Sequence, residues 1–391
     1  MTDSRVTASS SLIAFAREKL ADSAERGLLR RLVPTRRGAD QTATRQQRSF
    51  VSFSDNDYLG LSQDHRVRRA AARAALAYGA GAGASRLVTG DHPLLAELER
   101  RLAALKGHEA AVVFGSGYLA NVGTIPVLAG RDDLILADRL VHACLHAGAQ
   151  LSGARVLRFR HNDMAHLDEL LRRHRRGHAR ALILTDAVFS MDGDQAPLGE
   201  IARLATQHDA WLLADDAHGV GVLGGGHGTA AEQGVTLELG MGTLSKALGG
   251  YGGYVTGPAP VMELIRNRAR SLIFTTGLPP AAAGAALRAL EIVTADPALC
   301  RRPLELARRF CAAVELSEAQ SAVVPIVTGA PQTALAAQAK LEERGFLVVA
   351  IRPPSVPRGT ARLRLSFSAA HREADVDRLA EAVRALGLIN T

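Results

Sequence analysis

The chain of 391 residues is 47% hydrophobic and 22% charged, the composition of an ordinary globular protein long enough for two packed domains. Its net charge of +8 comes from arginines spread along the whole length, and aromatics are only 4% of residues, so a nucleic-acid-binding reading lacks both a basic block and stacking platforms. No run approaches the roughly 18 apolar residues of a membrane span. Cys144, Cys300 and Cys311 are too few and too scattered for a disulfide framework or a zinc site, which suits a reducing cytoplasm.

Residues 11–32 alternate apolar and charged positions, with Glu18, Asp22 and Glu25 among the arginines. That pattern predicts an amphipathic helix; the acids do not suit a transit peptide, and no signal-peptide core is present. A short strand over 50–54 and a turn over 55–60 follow, then an alanine-rich helix over 66–78. The glycine-rich stretch 79–83 leads into Ser85-Arg86 and a helix over 93–106. Thereafter short apolar strands, at 110–114, 133–137, 181–186 and 211–215, alternate with helices at 118–129, 141–150 and 198–208. This rhythm predicts an α/β fold, a mostly parallel, doubly wound sheet buried on both faces. After Pro279-Pro280 the rhythm changes. Helices over 281–296, 301–317, 332–344 and 372–386 surround strands over 322–328, 346–351 and 361–368. The expected organisation is an N-terminal helix and arm (1–50), a large domain (51–280) and a smaller C-terminal α/β domain (281–391).

Only four of the 47 basic residues are lysines: Lys19, Lys106, Lys246 and Lys340. A chain that draws its positive charge from arginine keeps lysine where a primary amine is needed, because arginine cannot form a Schiff base. Lys19, Lys106 and Lys340 fall in charged helical stretches and are expected to be solvated. Lys246 lies between Thr243-Leu244-Ser245 and a glycine-rich run, with no sign of a solvated face.

Other residues point the same way. Gly117 and Tyr118 open a helix directly after a strand, where free backbone amides and the positive helix end favour a phosphate. Asp215 ends a strand of the predicted parallel sheet, on the edge where ligands bind, and can keep a pyridinium nitrogen protonated. His218 can reach a ring oxygen of the same group. Thr243 and Ser245 offer hydroxyls to a phosphate. His142 follows another strand, where an imidazole can stack on a flat ring, although a lone histidine is more often structural. Taken singly, each of these residues also fits a capped turn or a tight connection; together they argue for a site.

Thr243–Lys246, Asp215–His218 and the run Asn56–Ser62 resemble those of the α-oxoamine synthases, fold-type I pyridoxal-phosphate enzymes, and the similarity extends from about residue 11 to the C-terminus. The run from Ile351-Arg352-Pro353-Pro354 to Ser366 resembles the branch of that family that makes 8-amino-7-oxononanoate for biotin. The resemblance implies pyridoxal 5'-phosphate as cofactor, carried by Lys246 as a Schiff base. Asp215 would pair with its pyridine nitrogen, His218 with its phenolic oxygen, and His142 would stack over the ring. Gly117, Tyr118 and Thr243 would bind its phosphate, and Ser190 would also touch it. Arg364, helped by Asn56, would clamp the amino acid's carboxylate as a bidentate fork. Arg30 and Ser355 would contact the acyl-CoA. A homodimer with active sites at its interface is implied, in which Thr275 or Thr276 reaches the partner's phosphate.

Two departures are visible: the family's usual Gly-Ser-Gly-Gly-Ser-Arg loop reads Gly81-Ala82-Gly83-Ala84-Ser85-Arg86, and Ser355 stands where threonine is common. The implied reaction is the decarboxylative condensation of L-alanine with pimeloyl-CoA, or pimeloyl on a carrier protein, in the cytoplasm without metal, membrane or nucleic acid. Sister reactions joining glycine to acetyl-CoA or succinyl-CoA, or serine to palmitoyl-CoA, share the lysine, aspartate and histidines. Only the C-terminal run separates them.

Overall fold

The computed structural model describes residues 10–389. Its main element is a seven-stranded sheet, in spatial order Ala110–Phe114, Gly253–Gly257, Leu239–Thr243, Trp211–Asp215, Ala181–Asp186, Leu134–Asp138 and Arg155–Phe159. The chain is α/β as expected, and all neighbouring pairs are parallel except those made by Gly253–Gly257, which runs antiparallel to both of its neighbours. Every residue of Leu134–Asp138 and Ala181–Asp186 is buried, because helices cover both faces of the sheet and each strand must be apolar throughout. The strands at 155–159, 239–243 and 253–257 go beyond the elements that the sequence pattern predicts. The last two are rich in glycine, which masks strand periodicity.

Parallel strands bring their carboxyl ends to one edge. Asp186 lies opposite Asp215, and Asp215 opposite Met241. Gly253 lies opposite both Thr243 and Phe114. A Cβ on Gly253 would come within 2.4 Å of the Gly117 nitrogen. The antiparallel strand therefore presses, backbone to backbone, against the start of helix Gly117–Leu128.

A three-stranded antiparallel sheet holds Ala361–Ser366 between Val323–Gly329 and Val349–Ile351. The expected strand over 346–351 is in fact two pieces. Phe346-Leu347 pairs with Arg48–Ser52 in a separate four-stranded sheet, and the chain then crosses to the three-stranded one. The N-terminal helix stops at Glu25, short of the expected 32, and buries none of its side chains. The helix Pro280–Ala295 packs on His65–Tyr78 and on Pro93–Lys106. Among the described residues no helix is long and apolar enough to cross a membrane.

Candidate active site

A cavity of about 220 Å³ opens at the carboxyl edge of the large sheet, lined by Gly117, Tyr118, His142, Ser190, Asp215, His218, Thr243 and Lys246 among others. Nine of the residues singled out in the sequence, Ser245 among them, therefore meet at one place. Lys246 lies in the turn that joins Leu239–Thr243 to Gly253–Gly257, and its Nζ sits 2.9 Å from His218 Nε2. Burial, reinforced by the nearby Arg364 charge and opposed by Asp215, lowers its pKa to about 8. An amine tuned in this way is available as a nucleophile near neutral pH.

Asp215, 6% exposed, is held on both oxygens. Asn121 Nδ2 donates to Oδ2 at 2.7 Å, and the Ala217 amide donates to Oδ1 at 3.0 Å. Sequence reasoning misses Asn121. Its only sequence signal is an amide inside the otherwise apolar first turns of helix Gly117–Leu128. Asp186, also missed, ends the neighbouring strand inside the same cavity. Burial, and then the Asp215 charge beside it, holds its carboxyl well above the usual carboxylate range. It accepts the His142 backbone amide at 3.2 Å. His142 stands exposed at the cavity wall, its Nδ1 accepting from the Cys144 amide at 3.3 Å.

His218 is buried, and burial drives its pKa well below the usual value, with the Lys246 charge acting in the same direction. The ring is therefore neutral, and the hydrogen-bond network assigns its tautomer. Nε2 accepts from the Lys246 ammonium, so Nδ1 carries the proton and donates to the Tyr58 hydroxyl at 2.5 Å. Tyr58 donates in turn to Asn56 Oδ1 at 3.3 Å and accepts from Arg364 Nη2 at 3.2 Å. Tyr58 lies within the motif Asn56–Ser62, but its sequence position alone assigns it no role; in the fold it links Arg364 to His218 and Lys246.

Arg364 is 6% exposed, not on a solvated strand face. Its Nη1 donates to Asn56 Oδ1 at 3.0 Å and Ser366 Oγ at 2.8 Å, and its Nε donates to the Ser190 carbonyl at 2.5 Å. Arg362, two residues away on the same strand face, is occupied by an ion pair with Asp192. Arg30 and Ser355 are also brought together, Nη2 to Oγ at 3.2 Å, but in a different cavity of about 440 Å³. Thr275 and Thr276 do not line the cofactor-sized cavity; Thr275 donates to the Ser271 carbonyl, and Thr276 bridges to Ser85.

One expectation fails outright. Lys106 is not solvated: its side chain is 7% exposed and pairs with Asp216 at 2.9 Å. A charged helical stretch says nothing about the last turn, where the lysine reaches inward.

The loop that carries Ser190 is tied down by His161, whose ring joins Asp138 at 3.1 Å and Asp194 at 2.8 Å. Burial opposes the imidazolium, but the two hydrogen-bonded carboxylates outweigh it and push the pKa up to about 9. A shift of that size corresponds to about 3 kcal/mol before solvent screening. Because the folded-state pKa is raised, this stabilisation is fully present below about pH 6.5 and fades as the pH rises through about 9. The apoprotein is expected to melt at lower temperature at pH 9 than at pH 6.5, and His161→Gln should flatten that difference. A His161→Gln melting profile parallel to that of the parent would refute the assignment.

The residues fit pyridoxal phosphate. The chain offers an enclosed amine, a fixed carboxylate, a neutral imidazole and a helix start at Gly117, where a Cβ would lie 3.0 Å from Met241 Cε. Thr243 and Ser245 add hydroxyls 2.7 Å apart.

Residues 48–383 match the family model for aminotransferase class I and II. The chain is 60% identical over 377 residues to an 8-amino-7-oxononanoate synthase of Methylobacterium sp. (strain 4-46), covering 96% of this chain and 97% of that protein. A protein of the same name from Methylobacterium radiotolerans is 61% identical, with 96% and 98% covered. Among solved structures, serine palmitoyltransferase of S. paucimobilis with a bound pyridoxal-phosphate adduct of myriocin is similar at TM-score 0.88 and 30% identity, covering 97% of this chain and 98% of that one. An 8-amino-7-oxononanoate synthase of Francisella tularensis is similar at TM-score 0.73 and 25% identity, with 86% and 98% covered. With Lys246, Asp215 and His218 gathered at the edge of a fold of this kind, the chain belongs to the class I and II aminotransferase family of fold-type I pyridoxal-phosphate enzymes, and within it to the α-oxoamine synthases.

Proposed function

We propose that the chain condenses L-alanine with a pimeloyl thioester, releasing CO2 and the carrier's free thiol and giving 8-amino-7-oxononanoate. The observation that carries the cofactor chemistry of this reading is Lys246 Nζ held on neutral His218 in the cavity where Asp215 is fixed by Asn121. Relatives at 60% and 61% identity bearing the name of that synthase support the choice within the family.

When bound, the cofactor supplies a protonated ring that takes up the electron pair left at the amino acid's Cα. Lys246 is the attachment amine. With a pKa near 8 it can accept the Cα proton and return one to the product carbon. Asp215 would hold the proton on the ring nitrogen, its carboxylate kept in place by Asn121 and the Ala217 amide. His218 would meet the phenolic oxygen and His142 would cover the ring. Gly117, Tyr118 and Thr243 would bind the phosphate, with Ser190 beside the ring. Arg30 and Ser355, in the arginine-rich second cavity, would take the acyl donor, whether on CoA or on a carrier protein.

The reading includes a division into arm (1–50), large domain (51–280) and small domain (281–391); the seven-stranded sheet falls within the second and the three-stranded sheet within the third, while the four-stranded sheet ties the arm to Phe346-Leu347 of the small domain. A homodimer completes the reading. Leu87, Val88 and Phe274 remain 62%, 73% and 70% exposed on segments joined by the Ser85–Thr276 bridge, an apolar surface suited to a second subunit. Thr275 or Thr276 would then serve the partner's phosphate.

A product assay pairing alanine, glycine and serine with pimeloyl-, acetyl-, succinyl- and palmitoyl-CoA tests the function. Alanine with pimeloyl-CoA should be turned over fastest. Faster turnover of glycine or serine with its own acyl donor would assign the chain to a sister reaction.

Arg364 tests the substrate side separately. A guanidinium fork on a carboxylate contributes roughly 1.5–3 kcal/mol per charge-assisted bond. Arg364→Ala should therefore leave the cofactor's visible absorbance in place while weakening alanine binding by at least about tenfold to a hundredfold. Arg364→Lys should recover only part of the loss, since a point charge cannot reproduce the fork. An unchanged alanine dissociation constant in Arg364→Ala would place the carboxylate elsewhere.

A further inference from the structure

Lys106 ends the helix Pro93–Lys106, and its ammonium turns inward behind the large sheet. It donates to Asp216 Oδ2 at 2.9 Å and to the His227 carbonyl at 2.5 Å. Asp216 is the residue after Asp215, and its side chain is 5% exposed. The other side of its carboxylate is closed by Thr229, whose hydroxyl donates to Oδ1 at 2.6 Å and whose amide donates to Oδ2 at 3.1 Å. Its backbone anchors the turn that bears His218: the Asp216 carbonyl accepts the amides of Gly219 at 3.2 Å and Val220 at 3.1 Å. Space is tight. A Cβ on Gly228 would lie 1.9 Å from Asp216 Oδ2 and 2.7 Å from Lys106 Nζ.

We propose that Lys106 is a positioning residue of the cofactor site. Through its buried ion pair with Asp216 it fixes the turn that presents Asp215 and His218 to the cavity. The inference rests on the cofactor reading above and adds a residue outside the cavity to it. The physical ground is that a buried carboxylate is tolerated only when paired; removing its cation leaves an uncompensated charge that the turn must move to relieve. That charge would sit one residue from Asp215.

The test uses full-length Lys106→Met, Asp216→Asn and the double variant. The readouts are the cofactor dissociation constant, the pH midpoint of the visible absorbance of the lysine-bound cofactor, and apoprotein melting. Lys106→Met should bind cofactor at least about tenfold more weakly and shift the midpoint by about half a pH unit or more. Adding Asp216→Asn should recover at least about threefold in affinity, because the unpaired charge is gone. A Lys106→Met protein that melts lower but keeps cofactor affinity within about twofold and an unmoved midpoint has lost only stability, and the proposal falls. It falls equally if the double variant is as impaired as the product of the two single effects. Should Lys106→Met fail to fold, Asp216→Asn alone decides. It should weaken cofactor binding at least about threefold, and a value within about twofold of the parent overturns the proposal. Failure of the parent protein itself to show cofactor absorbance would overturn the cofactor reading instead, so the two failures are distinguishable.

Discussion

Lys246→Ala should abolish turnover and the visible absorbance of the lysine-bound cofactor together. The chain has three other lysines, and none lines the cavity. Lys19 and Lys340 are exposed, and Lys106 is locked to Asp216 behind the sheet. No substitute amine can therefore reach the cofactor. Burial lowers the Lys246 pKa to about 8, so a useful fraction of the amine is neutral at physiological pH. A loss of at least about a thousandfold in rate is expected, since one residue would serve as attachment point and as proton carrier. Lys246→Arg should fail as completely. It keeps the charge beside His218, but a guanidinium stays protonated and forms no Schiff base. Absorbance scans of the purified variants, read beside single-turnover rates, check both statements. Either variant retaining the visible band and the parent rate would remove Lys246 from the chemistry.

Asp215→Asn separates binding from catalysis. The substituted amide can still accept the Ala217 amide through its oxygen, and its NH2 can donate to Asn121 once that side chain turns its unpartnered Oδ1 inward, so the fold and the cofactor should be retained. What disappears is the negative charge that would keep the ring nitrogen protonated. Interactions matched to charge developing in a reaction are typically worth a hundredfold to a thousandfold in rate, and a loss of at least about a hundredfold is expected. A second readout follows from the electrostatics. Asp215 raises the pKa of Lys246 against the effect of burial, so its neutralisation should lower that pKa further below about 8. The acidic limb of the pH–rate profile should move to lower pH as a result. Asp186 should respond in the same sense, because the Asp215 charge is one of the causes holding its carboxyl up. Parent-like turnover with an unmoved acidic limb would mean that Asp215 serves only to cap its strand.

Much of the site is legible in the amino-acid sequence. Lys246 stands out because the chain uses arginine nearly everywhere else. Asp215 and Gly117 can be placed because each ends or follows an apolar run whose length and flanks identify a strand, and parallel strands bring those ends to one edge. These are local properties: five or six residues of β-branched and aliphatic side chains decide them, and the burial of Leu134–Asp138 and Ala181–Asp186 agrees. The small-domain elements are legible for the same reason, apart from the break at Val348, where the chain leaves one sheet for another.

What the tertiary structure alone decides is which distant residues share a charge or a proton. Asn121 and Asp215 are 94 positions apart, Arg364 and Tyr58 are 306 apart, and no periodicity links either pair. The antiparallel strand Gly253–Gly257 escapes a reading of the sequence because its glycines carry no side-chain pattern, yet it closes tightly on the start of the helix Gly117–Leu128. Lys106 is the clearest case. The sequence places it correctly on a helix, and wrongly in water. Whether an ammonium is solvated or buried depends on whether a carboxylate waits at the end of its reach, and Asp216 reaches that point only when the sheet has closed behind it.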